Sequence, residues 1–347
     1  MATDSLDFLG AVEGLPEQLV AAHEAAATIS TDLLPSADEI RNVVVCGMGG
    51  SGIAGDVLAS VAGPALGVPV TVLKRFRVPA FVGAQTLVFA LSYSGDTEET
   101  LAMTEAALDA DASVVAVSVG GRLAELAVSR GATHVVCPPG YLPRSALGAL
   151  VAPLFVVLFR LGLLTEAHGW LVQAQKQLAR RRDRCRPEIV GAANPARDLA
   201  RRIGRTIPLI YGGGALGAVA AYRWKCDVNE NAKAPAFWHE YPELDHNEIC
   251  GWGQHGDVTR QLFTLVELRH GYEHEQLAAR FSVTREMIDE TLVQVLEVSA
   301  EGEGRLAQLL DLMYIGDWVS CYLALDQDVD PGPIDAIVEL KQALAGA

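Results

Sequence analysis

Two runs, Val43-Val44-Val45-Cys46 after Asn42 and Leu87-Val88-Phe89-Ala90-Leu91, are apolar without interruption, and each flows into a Gly/Ser-rich turn and then a helical pattern. An alternating pattern would mark a strand with one face in water, so uninterrupted runs imply strands covered on both faces. Such strands, alternating with helices, build parallel sheets wrapped by helices. The plan extends through strands predicted at Pro69–Leu73, Thr86–Leu91, Ser113–Val119 and Thr133–Cys137. Helices are predicted at Ser51–Val61, Thr97–Leu108 and Arg122–Arg130, after an N-terminal helical segment from about Gly14 to Leu34.

From Thr206 the theme restarts. Ile207–Tyr211 reads as a strand, Gly212-Gly213-Gly214-Ala215-Leu216-Gly217 as a turn and Ala218–Cys226 as a helix. Strands near Gln261–Leu268 and Thr291–Val298 and helices at Gly304–Leu325 and Ile334–Leu344 complete a second copy. A chain of 347 residues suits two domains, expected at 1–164 and 165–347. The copies differ in chemistry. Gly47-Met48-Gly49-Gly50-Ser51 carries a hydroxyl and Gly212-Gly213-Gly214-Ala215 does not, and only the first copy has a Ser-x-Ser-Gly-x-Thr turn, Ser92 to Thr97.

Composition narrows the function classes. A net charge of −16 opposes nucleic-acid binding but leaves room for a small phosphorylated ligand at a local donor cluster. The six cysteines form no Cys-x-x-Cys pair and read as reduced thiols rather than a disulfide framework. With an acidic N-terminus that lacks a signal-peptide layout, they predict a cytoplasmic protein. The run Ala146–Leu164 contains Arg160 and Pro153, so it reads as a helix buried between domains rather than a membrane span.

A strand running into a Gly-rich helix start aims backbone N–H groups and a positive dipole end at one place, which suits a phosphate. Gly49, Gly50 and Ser51 supply one such start; Ser92, Ser94 and Thr97 add hydroxyl donors near another. Gly47–Gly52 also satisfies Gly-x-Gly-x-x-Gly, and Lys74-Arg75 after the second strand could receive a 2′-phosphate, which keeps an NADP-linked reading open. Glu230, between Asn229 and Asn231 at a helix end, sits where the helix dipole disfavours a carboxylate; a proton-transfer role or a solvated terminus would each explain it. Arg144 follows Pro138-Pro139-Gly140 at the carboxyl end of the last strand of copy one, where open α/β sheets bind ligands. His246 lies among Glu240, Glu243, Asp245 and Glu248, carboxylates that favour a protonated imidazole. His239, His246, Cys250 and His255 fit no compact zinc spacing. Lys341 has no local peculiarity.

Taken jointly, Gly47-Met48-Gly49-Gly50-Ser51-Gly52-Ile53, Ser92 to Thr100, Asn229-Glu230-Asn231-Ala232-Lys233, His246-Asn247-Glu248 and Asp330-Pro331-Gly332-Pro333 before Leu340-Lys341 resemble the bifunctional phosphoglucose/phosphomannose isomerases of the sugar-isomerase (SIS) superfamily. The resemblance runs from about Val43 to Lys341. It implies an α/β chain of two SIS domains, each a flavodoxin-like, parallel-sheet αβα sandwich. It implies interconversion of glucose 6-phosphate, and mannose 6-phosphate, with fructose 6-phosphate through a cis-enediol, without metal or other cofactor. By resemblance Gly49, Gly50, Ser51, Ser92, Ser94 and Thr97 hold the phosphate, and Glu230 is the base. Arg144 stabilises the enediolate, and His246 and Lys341 open the sugar ring. The family's His comes from a partner subunit, which implies a homodimer. The reading predicts no nucleic-acid or membrane partner; a non-catalytic SIS sugar-phosphate sensor is the alternative. Asp96 departs from the Asn more common in the family and places a carboxylate by the expected phosphate. Gly332 stands where bulkier residues are common, in a region that shapes the space around C2.

Overall fold

A computed structural model describes residues 3–345 and separates into two compact units. The first comprises Gly14–Leu178 with Gly302–Ala307; the second comprises the chain up to Glu13, Ala179–Glu301 and the chain from Gln308. A short helix, α1 (Phe8–Glu13), belongs to the second unit.

The first unit begins with α2 (Leu15–Ala27) and then alternates β1 (Asn42–Cys46), α3 (Gly49–Ala62), β2 (Val70–Leu73), β3 (Thr86–Leu91), α4 (Glu98–Asp109), β4 (Ser113–Ser118), α5 (Gly121–Ser129) and β5 (Thr133–Val136). All five strands pair in parallel, in the order β2-β1-β3-β4-β5. Every residue of the central strand β3 is buried, as the uninterrupted apolar run predicts. Each such Val, Leu or Phe contributes roughly 1.5–3 kcal/mol of burial, and only a sheet covered on both faces collects that from consecutive residues. Next comes α6 (Leu147–Arg160), buried from Leu147 through Leu158. The sequence predicts this helix between domains; its packing partners are α2 and α3 of its own unit. Among the described residues no helix is long and apolar enough to cross a membrane.

Helix α7 (Ala167–Cys185) carries the chain from the first unit into the second. The second unit continues with α8 (Pro195–Ile203), β6 (Ile207–Gly213), α9 (Gly214–Asn231), β7 (Phe237–Tyr241), α10 (Gly256–Leu262), β8 (Phe263–Arg269), α11 (Glu275–Ile288) and β9 (Gln294–Ser299). Helices α12 (Arg305–Asp326) and α13 (Asp335–Ala345) end it. Its four strands are parallel in the order β7-β6-β8-β9. In both sheets the first strand lies between the second and third, so the second unit repeats the first with one strand fewer. The repeat reaches backbone detail: α3 and α9 both open on a glycine in the left-handed region, Gly49 at φ 51° and Gly214 at φ 58°.

Several elements differ from expectation. Strand β7 and helices α1, α10 and α11 have no counterpart in the sequence reading, α2 ends at Ala27 rather than near Leu34, and α9 runs to Asn231 rather than stopping near Cys226. The extension is held by a polar seam inside the unit. Arg223, Asp227 and Asn231, four residues apart on one face of α9, are all buried. Arg223 Nε lies 2.8 Å from Asp227 Oδ2 and 3.1 Å from Asp317 Oδ1 of α12, and Asn231 Nδ2 donates to Ser320 Oγ at 2.9 Å.

Burial pushes the Asp227 carboxyl well above the ordinary aspartate range, and the neighbouring Asp317 and Glu230 charges add to the rise against the pull of Arg223. Well below pH 4 both states hold this proton; as pH rises through the ordinary aspartate range the unfolded chain releases it first, so this group's contribution to stability falls until the folded carboxyl also ionises. Asp227→Asn keeps a neutral group at that place, so the melting temperature of the variant relative to wild type should climb as pH rises above about 4. A difference that does not change with pH, read by calorimetry, would show that Asp227 is ionised throughout.

Candidate active site

In the first unit β1 and β3 are neighbours in register, Cys46 opposite Ala90, so the turns that follow them leave the same edge of the sheet side by side. Gly49, Gly50 and Ser51 form the first turn of α3, whose leading N–H groups have no acceptor within the helix. The β3 turn is organised by Ser92. This side chain is 1 % exposed, and its Oγ accepts the N–H groups of Gly95 and Thr97 at 3.1 and 3.4 Å and sits 2.9 Å from Thr97 Oγ1. Ser92 therefore shapes the turn, whereas Ser94 is exposed and Thr97, at the N-cap of α4, is partly so. Asp96 aims its carboxylate elsewhere: Oδ1 accepts the Arg122 N–H of α5 at 3.1 Å.

Arg144 is buried in a single 3-10 turn, Pro143–Ser145, that packs against α3. Two residues that sequence reasoning passed over fix this turn. Fully buried Gln18 donates to Ser145 O at 2.9 Å and accepts the Ala149 N–H at 3.1 Å. Tyr93, inside the serine turn itself, donates to Pro138 O at 2.9 Å and accepts the Tyr141 N–H at 3.0 Å. The Gly49–Ser51, Ser92–Thr97 and Arg144 segments thus belong to one bonded and packed assembly in the first unit. One signal was available in the sequence: Tyr93 is a large polar ring inside a Ser/Gly turn. Lys74 pairs with Asp56 of α3, so one of the two cations offered for a 2′-phosphate is already held by a carboxylate.

The repeated turn in the second unit is closed. Leu216, buried, stands at the place of Ser51. A Cβ built on Gly213, the residue before that helix start, would lie 2.9 Å from the Phe281 ring and 3.2 Å from Glu273 Oε1, whereas one on Gly214, the counterpart of Gly49, would meet only Leu277 Cδ1 at 3.7 Å. His270 Nε2 lies 2.7 Å from Gly213 O, and Glu273 is clamped by Arg269 at 2.7 Å. A carboxylate and a ring of the protein thus pack against Gly213, and Leu216 stands where the first copy has a hydroxyl.

In the second unit Glu230 stands half-buried on the last turn of α9 and lines a cavity of about 500 Å³ with Asn229, Lys233, Asp330, Pro333 and Ile337. The dipole conflict noted in the sequence has a local answer: the Lys233 ammonium donates to Glu230 O at 2.9 Å and Asn231 O at 3.2 Å, placing a cation at the negative end of the helix. Lys341 is exposed on α13, one helical turn beyond Ile337 on the same side of the helix, and is not itself in the cavity wall. His246 is exposed at the end of the 3-10 turn Glu243–His246 and is likewise outside that wall.

The acids around His246 have other partners. Glu243 accepts from Asn247 at 2.8 Å, Asp245 accepts from Arg280 and Thr284 at 2.8 and 2.9 Å, and Glu248 accepts the Tyr211 hydroxyl. Burial and then the Glu248 charge drive the Tyr211 hydroxyl far above its ordinary range, so it stays a donor. Among the described residues no cluster of three or more His, Cys, Asp or Glu is arranged to hold a metal ion.

Comparison with known proteins bears on both units. The family model described as the bacterial phospho-glucose isomerase C-terminal SIS domain matches residues 192–344. A bifunctional phosphoglucose/phosphomannose isomerase of Caldicellulosiruptor bescii is 36 % identical over 334 residues, covering 96 % of this chain and 98 % of that protein. A protein of the same name from Aquifex aeolicus is 32 % identical over 317 residues, 91 % and 93 % of the two chains. Among solved structures, tagatose-6-phosphate ketose/aldose isomerase from Escherichia coli superposes with a TM-score of 0.71 at 15 % identity, over 95 % of this chain and 96 % of that one, a likeness of fold.

Proposed function

The chain belongs to the bifunctional phosphoglucose/phosphomannose isomerase family, and from that premise we propose that it interconverts glucose 6-phosphate and mannose 6-phosphate with fructose 6-phosphate. The observation that carries the reading is the half-buried Glu230 carboxylate in the wall of a 500 Å³ cavity, on a helix end whose dipole is neutralised by Lys233. A carboxylate able to move a proton is the first requirement of an aldose–ketose exchange.

In the proposed mechanism the N–H groups of the Gly49–Ser51 helix start and the hydroxyls of Ser51, Ser94 and Thr97 hold the 6-phosphate, with Ser92 shaping the turn that presents them. His246 and Lys341 move the protons that open the ring. Glu230 then removes the proton from C2 of the aldose and returns it to C1, while the hydroxyl proton passes from O2 to O1. Arg144 balances the charge that develops on the enediolate oxygens. The enediol is planar at C2 and has lost the stereochemistry that separates glucose from mannose, so one intermediate serves both epimers. C1 is reduced as C2 is oxidised, so there is no net redox change and none of these steps calls for an external cofactor.

We further propose a homodimer in which His246 serves the partner's site. Support comes from the exposure of His246 and from the edge strand β7, which leaves Phe237 and Trp238 of the second unit 52 % and 37 % exposed. A cytoplasmic location fits six free cysteines, four of them buried. The division of labour we propose gives phosphate binding to the N-terminal copy and the base, acid and Lys341 to the C-terminal one. The experiment is a coupled assay on the purified chain. Fructose 6-phosphate should form from both aldose phosphates; failure to form from either would remove the function.

A further inference from the structure

Lys233 occupies a place that normally falls to glycine. It is the second residue past the end of α9, with φ at 53°, a left-handed conformation that a side chain makes costly. Its ammonium reaches four main-chain carbonyls: Glu230 at 2.9 Å and Asn231 at 3.2 Å on α9, and Asp330 at 2.8 Å and Pro331 at 3.2 Å on the turn before α13. One residue of each pair, Glu230 and Asp330, lines the cavity, and so does Lys233 itself. The turn is anchored from its other side as well, since the Asp330 carboxylate accepts the N–H groups of Ser5 at 3.2 Å and Gly332 at 2.9 Å. Asn229, beside Glu230, adds a bond from Nδ2 to Ala234 O at 2.9 Å, which closes the chain around the lysine.

We propose that Lys233 is a positioning residue that straps the Glu230 end of α9 to the Asp330–Pro333 turn, fixing the width of the cavity and the distance from Glu230 to the helix that carries Lys341. The inference rests on the reading of Glu230 as the base. The three N–H donors of one ammonium, shared among four carbonyls, hold two segments about a hundred residues apart in sequence. A glycine would relieve the backbone at 233, and it would remove the strap completely. The lysine therefore acts through its head group, and the sugar's reacting carbons never touch it.

The test compares Lys233→Gly and Lys233→Met with wild type by hydrogen exchange and by kinetics. Lys233→Gly suits the backbone and guards against a trivial folding failure. Amide exchange over residues 329–340 should accelerate at least about fivefold in both variants while the two sheets keep their protection. Rates on glucose 6-phosphate and mannose 6-phosphate should fall roughly 10- to 100-fold, mainly in kcat, and the ratio between the two sugars should change because the geometry near C2 has loosened. Unchanged exchange over 329–340 would overturn the strap whatever the activity. Faster exchange with kcat, KM and the sugar ratio unchanged would overturn the positioning role. Wild type without activity on either sugar would instead overturn the function proposed for Glu230, and the exchange result would still decide the strap.

Discussion

Replacing Glu230 by Gln should lower kcat on both aldose phosphates by about 10²–10⁴-fold, the range that a general base supplies, while thermal stability stays near that of wild type. The two halves of that expectation have separate grounds. Glutamine keeps the shape and hydrogen-bonding reach of the side chain but cannot take a proton at neutral pH. The fold uses the main chain at this position, whose carbonyl accepts from Lys233, and the substitution leaves that bond in place. KM should change little, because the lost interaction acts in the transition state rather than in holding the phosphate. A variant with wild-type kcat would take the proton-transfer role away from Glu230, and a large loss of stability would mark the residue as structural.

A second large effect is expected at Gly95, in the middle of the serine turn. Its φ is 84°, and a Cβ there would stand 1.9 Å from the Gly120 carbonyl oxygen and 2.8 Å from its carbon. Both atoms belong to backbone at the end of β4, so no side chain can rotate away. Gly95→Ala should destabilise the protein by about 2–4 kcal/mol, through the strained dihedral and the forced separation of two adjacent turns. Function should suffer in a distinct way. Gly95 N–H and Thr97 N–H both bond to Ser92 Oγ, so displacing Gly95 disturbs the donors proposed for phosphate. Loss of one charge-assisted bond corresponds to roughly a tenfold rise in KM for the sugar phosphate. Measuring the denaturant midpoint and KM on one preparation separates the two effects. A stable variant with normal KM would mean that the turns at 95 and 120 can part without cost.

Most of the architecture was legible because burial on both faces leaves a direct mark: no residue of β1 or β3 needs to be polar, and neither run contains a break. The turns proposed for phosphate stood out for a related reason, since Gly49, Ser92 and Thr97 are residue types chosen for backbone geometry and capping, which are local properties. The limits have equally physical causes. Helix α9 reads as ending early because Arg223, Asp227 and Asn231 look like a solvated face, and only Asp317 and Ser320 on α12, some ninety residues away, turn that face into interior. Strand β7 is a mixed run, Phe237-Trp238-His239-Glu240-Tyr241, on the edge of its sheet, where one side need not be apolar. The carboxylates around His246 look like a field acting on one imidazole; their actual partners, Arg280, Thr284 and Tyr211, come from other elements. Gln18, Tyr93 and Lys233 hold the site through main-chain atoms, and a bond to a main-chain atom leaves no trace in the identity of the residue it reaches.

The loss of hydroxyls in the second copy also gains a physical meaning. Leu216 in place of Ser51 could have been drift in an otherwise usable cradle. Phe281 and the Glu273 carboxylate pack against Gly213, one residue before that helix start, and put a negative charge beside it. Restoring a serine at 216 would return the hydroxyl without removing that charge.

The central claim is that the chain exchanges aldose and ketose by moving a proton through an enediol. Its most direct test is to supply fructose 6-phosphate to the purified protein in D2O and follow the products by NMR. The account predicts that both glucose 6-phosphate and mannose 6-phosphate accumulate with deuterium at C2, because the proton held by Glu230 exchanges with solvent before it is returned. Aldose phosphates still free of deuterium at C2 after repeated turnover to equilibrium would contradict a proton that Glu230 carries and shares with solvent.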